Sequence, residues 1–205
     1  MDRKEFIKKV GLGSVSFALV ACGTSQMLGE AEDCKLTHVD DRGPFYFKGS
    51  SQTLNLNYTK LPGEPMMVSG TVFSGESSIT PLAGVKIDIW HCDSAGNYHP
   101  NDGGKITSSN TKEMALRGFV ITDARGKYSF KSIFPGFYAR RSRHIHYILS
   151  APGHQELTTQ NYFQGDDRIP HDTLSQSAGD CRIIHFKKNN EGAYTGTMNF
   201  NLETK

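Results

Sequence analysis

From Pro65 to the end of the chain, apolar and polar residues alternate with a period of two in short runs. A strand points successive side chains to opposite faces, so this pattern makes half-buried strands. In GVKIDIW, Val85, Ile87 and Ile89 fall on one face and Lys86, Asp88 and Trp90 on the other. MMVSGTVF, RGFVIT, KYSFKSI, RHIHYILS, CRIIHFKK and AYTGTMNFNL behave alike. In the last, Tyr194, Met198, Phe200 and Leu202 oppose Thr195, Thr197, Asn199 and Asn201. Turn formers separate the runs: SGE, PLAG, DSAGN, DARG, PG and APG. No stretch beyond residue 21 carries a convincing helical stripe. The expected fold is therefore all-β, an antiparallel β-sandwich over residues 65–205. A length of 205 residues suits one such domain. Residues 22–64 read as a small, polar tether followed by a loop-rich N-terminal arm, with turns at Gly43-Pro44 and Pro62-Gly63.

Residues 1–21 read as a signal peptide. Arg3, Lys4, Lys8 and Lys9 precede an apolar stretch, Val10 to Ala21, too short to span a bilayer permanently. It ends in Leu19-Val20-Ala21-Cys22, which resembles a bacterial lipobox with Cys22 as the lipidated residue. DRKEFIKK is also similar to a twin-arginine motif with Lys4 in the second position, so Tat and Sec export both stay open. The expectation is an exported lipoprotein of a bacterium, periplasmic or on the cell surface, touching membrane only through its lipid. The chain has 23 Lys+Arg and 21 Asp+Glu, and residues 1–21 hold four of the former and two of the latter. The remainder is formally neutral, which excludes nucleic-acid binding by bulk charge.

Of four cysteines, Cys22 is assigned to lipid. Cys34 and Cys181 sit in polar, turn-like surroundings and form the candidate disulfide, which an oxidising compartment permits. Cys92, at a strand end, reads as a buried free thiol.

The chemistry concentrates in a few residues. In Arg143-His144-Ile145-His146-Tyr147 the two histidines share a strand face roughly 7 Å apart and can ligate one metal. Alone, an HxH pair in a strand is ordinary, and the Glu that a cupin places four or five residues on is here Leu149 or Ser150. Two tyrosines follow glycine turns, Tyr98 in DSAGNYHP and Tyr138 in FPGFYARR. Each alone reads as a strand-end aromatic. A phenol with a pKa near 10 suits divalent metals poorly, but a trivalent ion favours the phenolate. Two His and two Tyr thus make a mixed N/O set suited to Fe(III).

At this point the sequence resembles the intradiol ring-cleavage dioxygenases, from about Gly43 to Asp167. The matching pieces are GPFY, PLAGVKIDIWHCDSAGNYH, RGFVITDARGKYSFKSIFPGFYARRSRHIHYILSAPG and LTTQNYFQGD. The resemblance implies that Tyr98, Tyr138, His144 and His146 bind a non-haem ferric ion. It implies that Arg141 and Gln160 line the substrate pocket, that Tyr138 releases and takes up a proton, and that Arg141 stabilises charge on the opening ring. The implied reaction splits a small aromatic diol with O2 between its hydroxylated carbons to give a muconate-type diacid. A homodimer is among the assemblies it implies.

The chain departs from the soluble enzymes of that family. It lacks their long insertion between the second Tyr and HxH, and their N-terminal helical or partner-subunit features. It looks closer to a short, exported branch. Arg143 stands where a small residue or Pro is usual, so Arg140, Arg141 and Arg143 crowd one loop. They read either as a solvated run with only Arg141 inward, or as a counter-charge for a carboxylated catechol. Asp93 and Asp123 stand in D-x-x-G turns and read as caps. His38, His91, His99, His154, His171 and His185 read as surface or satisfied histidines. Two other readings stay open: a non-catalytic sandwich module resembling transthyretin-like or carboxypeptidase-regulatory-like repeats, and a zinc or copper site using His91 or Cys92 with HxH.

Overall fold

The structure, a computed structural model, describes residues 35–100 and 114–205. The expected signal peptide, Cys22 and Cys34 lie outside the described residues. Among these residues ten strands follow one another: β1 (Pro65–Ser74), β2 (Lys86–Trp90), β3 (Arg117–Ile121), β4 (Lys127–Ile133), β5 (His144–Ser150), β6 (Leu157–Phe163), β7 (Ile183–Ile184), β8 (Lys187–Lys188), β9 (Tyr194–Thr197) and β10 (Phe200–Leu202). The sole α-helix among the described residues is α1 (Thr173–Gln176).

The strands form two five-stranded sheets. One runs β10-β1-β9-β8 with β4 also paired to β1, and the other runs β3-β2-β5-β6-β7. The core lies between them: Met66, Val68, Val72, Phe130 and Phe200 from the first meet Ile87, Ile89, Ile145, Tyr147 and Leu149 from the second. The all-β sandwich is as expected, but its sheets are mixed rather than purely antiparallel. β1 pairs with β9 and β10 in parallel, and β6 pairs with β7 in parallel. Period-two patterning fixes which face a residue takes and leaves strand direction open.

Residues 51–56 of the arm cover the edge strands of both sheets. Thr53 N donates to Phe119 O and Phe119 N to Ser51 O, while Leu56 N donates to Lys131 O and Lys131 N to Leu54 O. These bonds occupy groups that an open edge leaves unpaired. Leu56, fully buried, anchors the segment in the core.

Candidate active site

β5 is buried on both faces, and this places the site. Ile145, Tyr147 and Leu149 point into the core between the sheets. By alternation His144, His146 and Ile148 point outward. Register sets Trp90 of β2 beside His146, and His146 beside Gln160 of β6. His144 pairs with Tyr162 one step along. Two rows of side chains therefore cross the outer face of this sheet, and the arm covers them. Phe45 is buried in one cluster with Trp90, Cys92, Tyr98 and Ile148.

Tyr98 and Tyr138 come from two turns that lock together. Asp93 accepts from the backbone N–H of Ala95 and Asn97, as its D-x-x-G setting predicts, and pairs with His99 at 2.8 Å. The second turn approaches closely: Gly136 N donates to Asp93 O at 2.8 Å. A Cβ on Gly96 would fall 2.0 Å from Phe137 O, and one on Gly136 would fall 2.4 Å from Ser94 O. Both glycines are needed for backbone-to-backbone contact, and this contact fixes Tyr138 relative to Tyr98.

The Tyr98 hydroxyl lies 3.0 Å from Nε2 of His144 and 3.0 Å from Nε2 of His146. His144 Nδ1 donates to Ser142 O at 2.7 Å; a carbonyl only accepts, so Nε2 carries the lone pair. Trp90 stacks on His146 at 4.8 Å between ring centres, and Phe45 on Tyr98 at 4.1 Å. Tyr138 stands edge-on to Tyr98, 5.2 Å between ring centres, and its hydroxyl has no hydrogen bond among the described residues. Burial drives His144 down to about 4 and holds His146 well below the usual imidazole range, so both are neutral ligands-in-waiting. Burial likewise holds the Tyr98 phenol well above its ordinary pKa, with Arg141 and Arg117 opposing. His146 Nδ1 is buried without a hydrogen-bond partner.

This donor set has fewer protons than lone pairs. One phenolic hydrogen cannot serve both imidazole nitrogens, so without a metal His146 must turn its Nε2–H to the phenol oxygen and leave its buried Nδ1 lone pair unpartnered. A metal cation fits: it would take the two Nε2 lone pairs and the phenol oxygen at one point, with Tyr138 as the fourth donor beside them. A trivalent ion fits the two phenols best.

Behind this set lies a polar network. Arg141 donates from Nη2 to Gln160 Oε1 at 2.9 Å, and Gln160 Nε2 donates to Asp41 O at 2.6 Å. Tyr162 donates to Asp40 at 2.7 Å, and Arg182 donates to the same carboxylate. Asp172 accepts from Arg141 Nε at 2.9 Å. The family resemblance pointed to Arg141 and Gln160, which the structure joins here, and nothing in the sequence pointed to Asp40, Tyr162, Asp172 or Arg182. The resemblance also gave no role to Phe45, Trp90 or Arg117, although GPFY and IDIWH carry two of them. Arg117 is buried and donates to Phe45 O and His99 O, each at 2.6 Å, so it ties the stacking ring to the Tyr98 loop.

Of the crowded arginines, only Arg141 turns inward. Arg140 is exposed. Arg143 lies 3.7 Å over the Phe137 ring and donates to Pro135 O. His91 bonds Cys92 O and Ser132 Oγ, each at 2.7 Å, and the buried thiol of Cys92 faces Gly136 O. Neither joins the HxH pair, and the described residues hold no group of three His, Cys, Asp or Glu suited to a metal. Asp123 caps its turn through Arg125 N and Lys127 N. Cys92 is free and Cys181 is disulfide-bonded, while Cys34, its expected partner, lies outside the described residues.

Fold and site together define a class: a β-sandwich carrying a buried pair of strand histidines and two turn tyrosines on its outer face. A family model described as dioxygenase matches residues 42–204. Catechol 1,2-dioxygenase 2 of Acinetobacter lwoffii is 32% identical over 145 residues, covering 60% of this chain and 50% of that protein. Chlorocatechol 1,2-dioxygenase of Rhodococcus opacus is 28% identical over 186 residues, covering 78% and 69%. Among solved structures, the dioxygenase domain of a dioxygenase carbohydrate-binding protein fusion from Streptomyces sp. SirexAA-E matches with a TM-score of 0.70 at 32% identity, covering 83% of this chain and 100% of that one. The chain belongs to the intradiol ring-cleavage dioxygenase family. It spans about half the length of the catechol 1,2-dioxygenases it matches. The match across 42–204 places the chain in this family rather than among the transthyretin-like or carboxypeptidase-regulatory-like repeats.

Proposed function

We propose that this protein is a non-haem Fe(III) intradiol dioxygenase. It would cleave a catechol-type ring between its two hydroxylated carbons, adding both atoms of O2 to give a muconate-type diacid. The observation that carries this reading is the meeting of Tyr98 Oη with Nε2 of His144 and of His146, with Tyr138 beside them. Tyr98, Tyr138, His144 and His146 would hold the ion. Its Lewis acidity would lower the proton affinity of the catechol hydroxyls and open the ring to dioxygen.

The chain's own residues supply the rest. Trp90 and Phe45, stacked on His146 and Tyr98, keep water from one side of the donor set and fix both rings. Tyr138 is the donor whose hydroxyl no hydrogen bond restrains, which suits it to leave and take a proton from the incoming diol. Arg141 spends Nε on Asp172 and Nη2 on Gln160, leaving Nη1 to meet negative charge on the ring oxygens. Gln160, pinned by Asp41 O, keeps that guanidinium in place. With Arg143 turned onto Phe137 and Arg141 paired with Asp172, the arginine run supports an uncharged catechol better than a carboxylated one.

Oxygen uptake with catechol, protocatechuate and hydroxyquinol, followed by product analysis, tests the proposal. The expected result is a muconate-type diacid, with catechol turned over faster than protocatechuate. The ferric protein should also be red-brown and change colour with catechol. A colourless protein at full iron occupancy would overturn the reading. We also propose export as a lipoprotein acylated at Cys22, with Cys34 paired to Cys181. Loss of fatty-acid labelling in Cys22→Ser tests the first, and peptide mapping without reductant tests the second.

A further inference from the structure

A single buried carboxylate behind the site touches both halves of its chemistry. Asp172 lies between the 3-10 turn at Ile169–His171 and α1. Its two oxygens accept from Arg141 Nε at 3.0 and 2.9 Å. Oδ2 also accepts from Ser142 N at 2.9 Å and from Ser142 Oγ at 2.8 Å. Oδ1 accepts from Leu174 N at 3.2 Å, capping α1. The carboxylate is 5% exposed. From it two short paths run into the site. One passes through Arg141 Nη2 to Gln160 Oε1. The other passes along Ser142, whose carbonyl takes the His144 Nδ1 proton at 2.7 Å and so leaves the His144 lone pair on Nε2, facing Tyr98.

We propose that Asp172 is a positioning residue: it aims the Arg141 guanidinium at the reacting ring and, through Ser142, sets the orientation of His144. The inference rests on the dioxygenase reading given above and adds a residue to it. The physical case is one of restraint. Arg141 is partly exposed, at 23% of its side chain, and carries several rotatable bonds, so its direction must be imposed from outside. Asp172 imposes it with a charge-assisted contact to Nε, which fixes the plane of the guanidinium and leaves Nη1 projecting. The same carboxylate holds both Ser142 donors, so the backbone that precedes His144 cannot twist without breaking two bonds. Arg141 thus acts on the substrate, and Asp172 acts only through Arg141 and Ser142.

The test is a double-mutant cycle on the iron-loaded enzyme. Asp172→Asn keeps the shape and an acceptor for Ser142, but offers an NH2 where N–H donors need an oxygen. It should lower kcat on catechol by about 10- to 100-fold while KM changes by less than about threefold, because a guanidinium misplaced by 1 Å loses transition-state contact rather than binding. In an Arg141→Ala background the same substitution should lose most of its effect on kcat, since only the path through Ser142 to His144 remains. Full additivity in that background, or an Asp172→Asn enzyme within about twofold of wild type, would overturn the proposal. A second readout needs no turnover. In the metal-free protein the Arg141 Nε–H should exchange slowly with solvent, and Asp172→Asn should make it exchange fast. Fast exchange in the wild type would overturn the proposal even in an active enzyme. Slow exchange lost in Asp172→Asn, in a protein that cleaves no catechol, would sink the dioxygenase reading and keep Asp172's hold on Arg141.

Discussion

Gly96→Ala tests whether the two tyrosine turns form one unit. Gly96 has φ +88°, and a Cβ there would sit 2.0 Å from Phe137 O and 2.8 Å from Phe137 C. Two costs follow. A positive φ costs a non-glycine residue about 1–2 kcal/mol. Ordinary C···O contacts lie near 3.3 Å, so the turns must also part by about 1 Å. That separation strains the Gly136 N to Asp93 O bond, worth about 1 kcal/mol, and adds an overpacking cost of about 1–3 kcal/mol. The expected loss is roughly 4 kcal/mol, a large part of the total stability of an ordinary domain.

Gly192→Ala supplies the control. Gly192 has φ +80° and nothing within 4 Å of its Cβ position, so it carries the backbone cost alone. Urea denaturation of both variants, read from the midpoints at constant slope, isolates the contact. Gly96→Ala should also weaken ferric binding, because Phe137 precedes Tyr138 and its displacement moves one tyrosine away from the other. If Gly96→Ala costs no more than Gly192→Ala, within about 0.5 kcal/mol, the turns are not locked and the common origin of the Tyr98 and Tyr138 positions is wrong.

Burial holds the His91 imidazole down to about 4. Between that value and the unfolded one near 6.5 the unfolded chain binds a proton that the native one does not, so stability should fall by about 3 kcal/mol as pH drops across this window. His91→Gln should make the urea midpoint of the metal-free protein fall less steeply between pH 6.5 and 4, with His144 and His146, held low by the same burial, supplying the remaining slope; an unchanged slope would show that His91 does not contribute. Tyr138→Phe should keep stability within about 1 kcal/mol and retain iron with a shifted absorption band, because its hydroxyl has no hydrogen-bond partner to lose among the described residues. Tyr98→Phe should fail to bind ferric ion, since both histidine Nε2 atoms lose the oxygen between them; full retention would remove Tyr98 from the donor set. Phe45→Ala removes the ring stacked on Tyr98 and should cost about 3–5 kcal/mol by thermal melting, with a loss below 1 kcal/mol refuting the arm as a structural wall of the site.

The four candidate donors were visible one at a time through local patterns, and only the family resemblance joined them into one set. His144 and His146 share a face by strand alternation alone, and Tyr98 and Tyr138 follow glycine turns whose polar residues announce them. The supporting residues were not. Asp40 meets Tyr162 122 positions away and Arg182 142 positions away. Asp172 meets Arg141 31 positions away. No periodicity links such pairs; they are set by how β6, the arm and the segment after β6 close on one another. The mixed sheets escaped for the same reason, since β1 finds β9 and β10 only after the whole chain has returned. Asp88 and Trp90 show a subtler limit. Alternation placed them away from Val85, Ile87 and Ile89, which reads as outward and solvent-facing, yet both are buried. The outer face of this sheet is a second interior, roofed by the arm.

That second interior explains the division of labour in the chain. The core between the sheets sets where β2, β5 and β6 lie, and thereby the rows containing Trp90, His146 and Gln160. The arm sets what surrounds them: Phe45 against Tyr98, Asp41 O on Gln160, and Asp40 on Tyr162 and Arg182. Three arginines lie under this roof, two paired with carboxylates and one held by carbonyls alone. Arg182 is paired with Asp40, Arg141 with Asp172, and Arg117 has only the carbonyls of Phe45 and His99. Burial pulls the Arg117 pKa down to about 10, which still leaves it charged at neutral pH. Its charge has no carboxylate against it among the described residues. In a site of neutral phenol and neutral imidazoles that charge is a cost with no return. Beside a phenolate and a doubly ionised diol, the charge state that the proposed reaction would bring, it would become part of the balance.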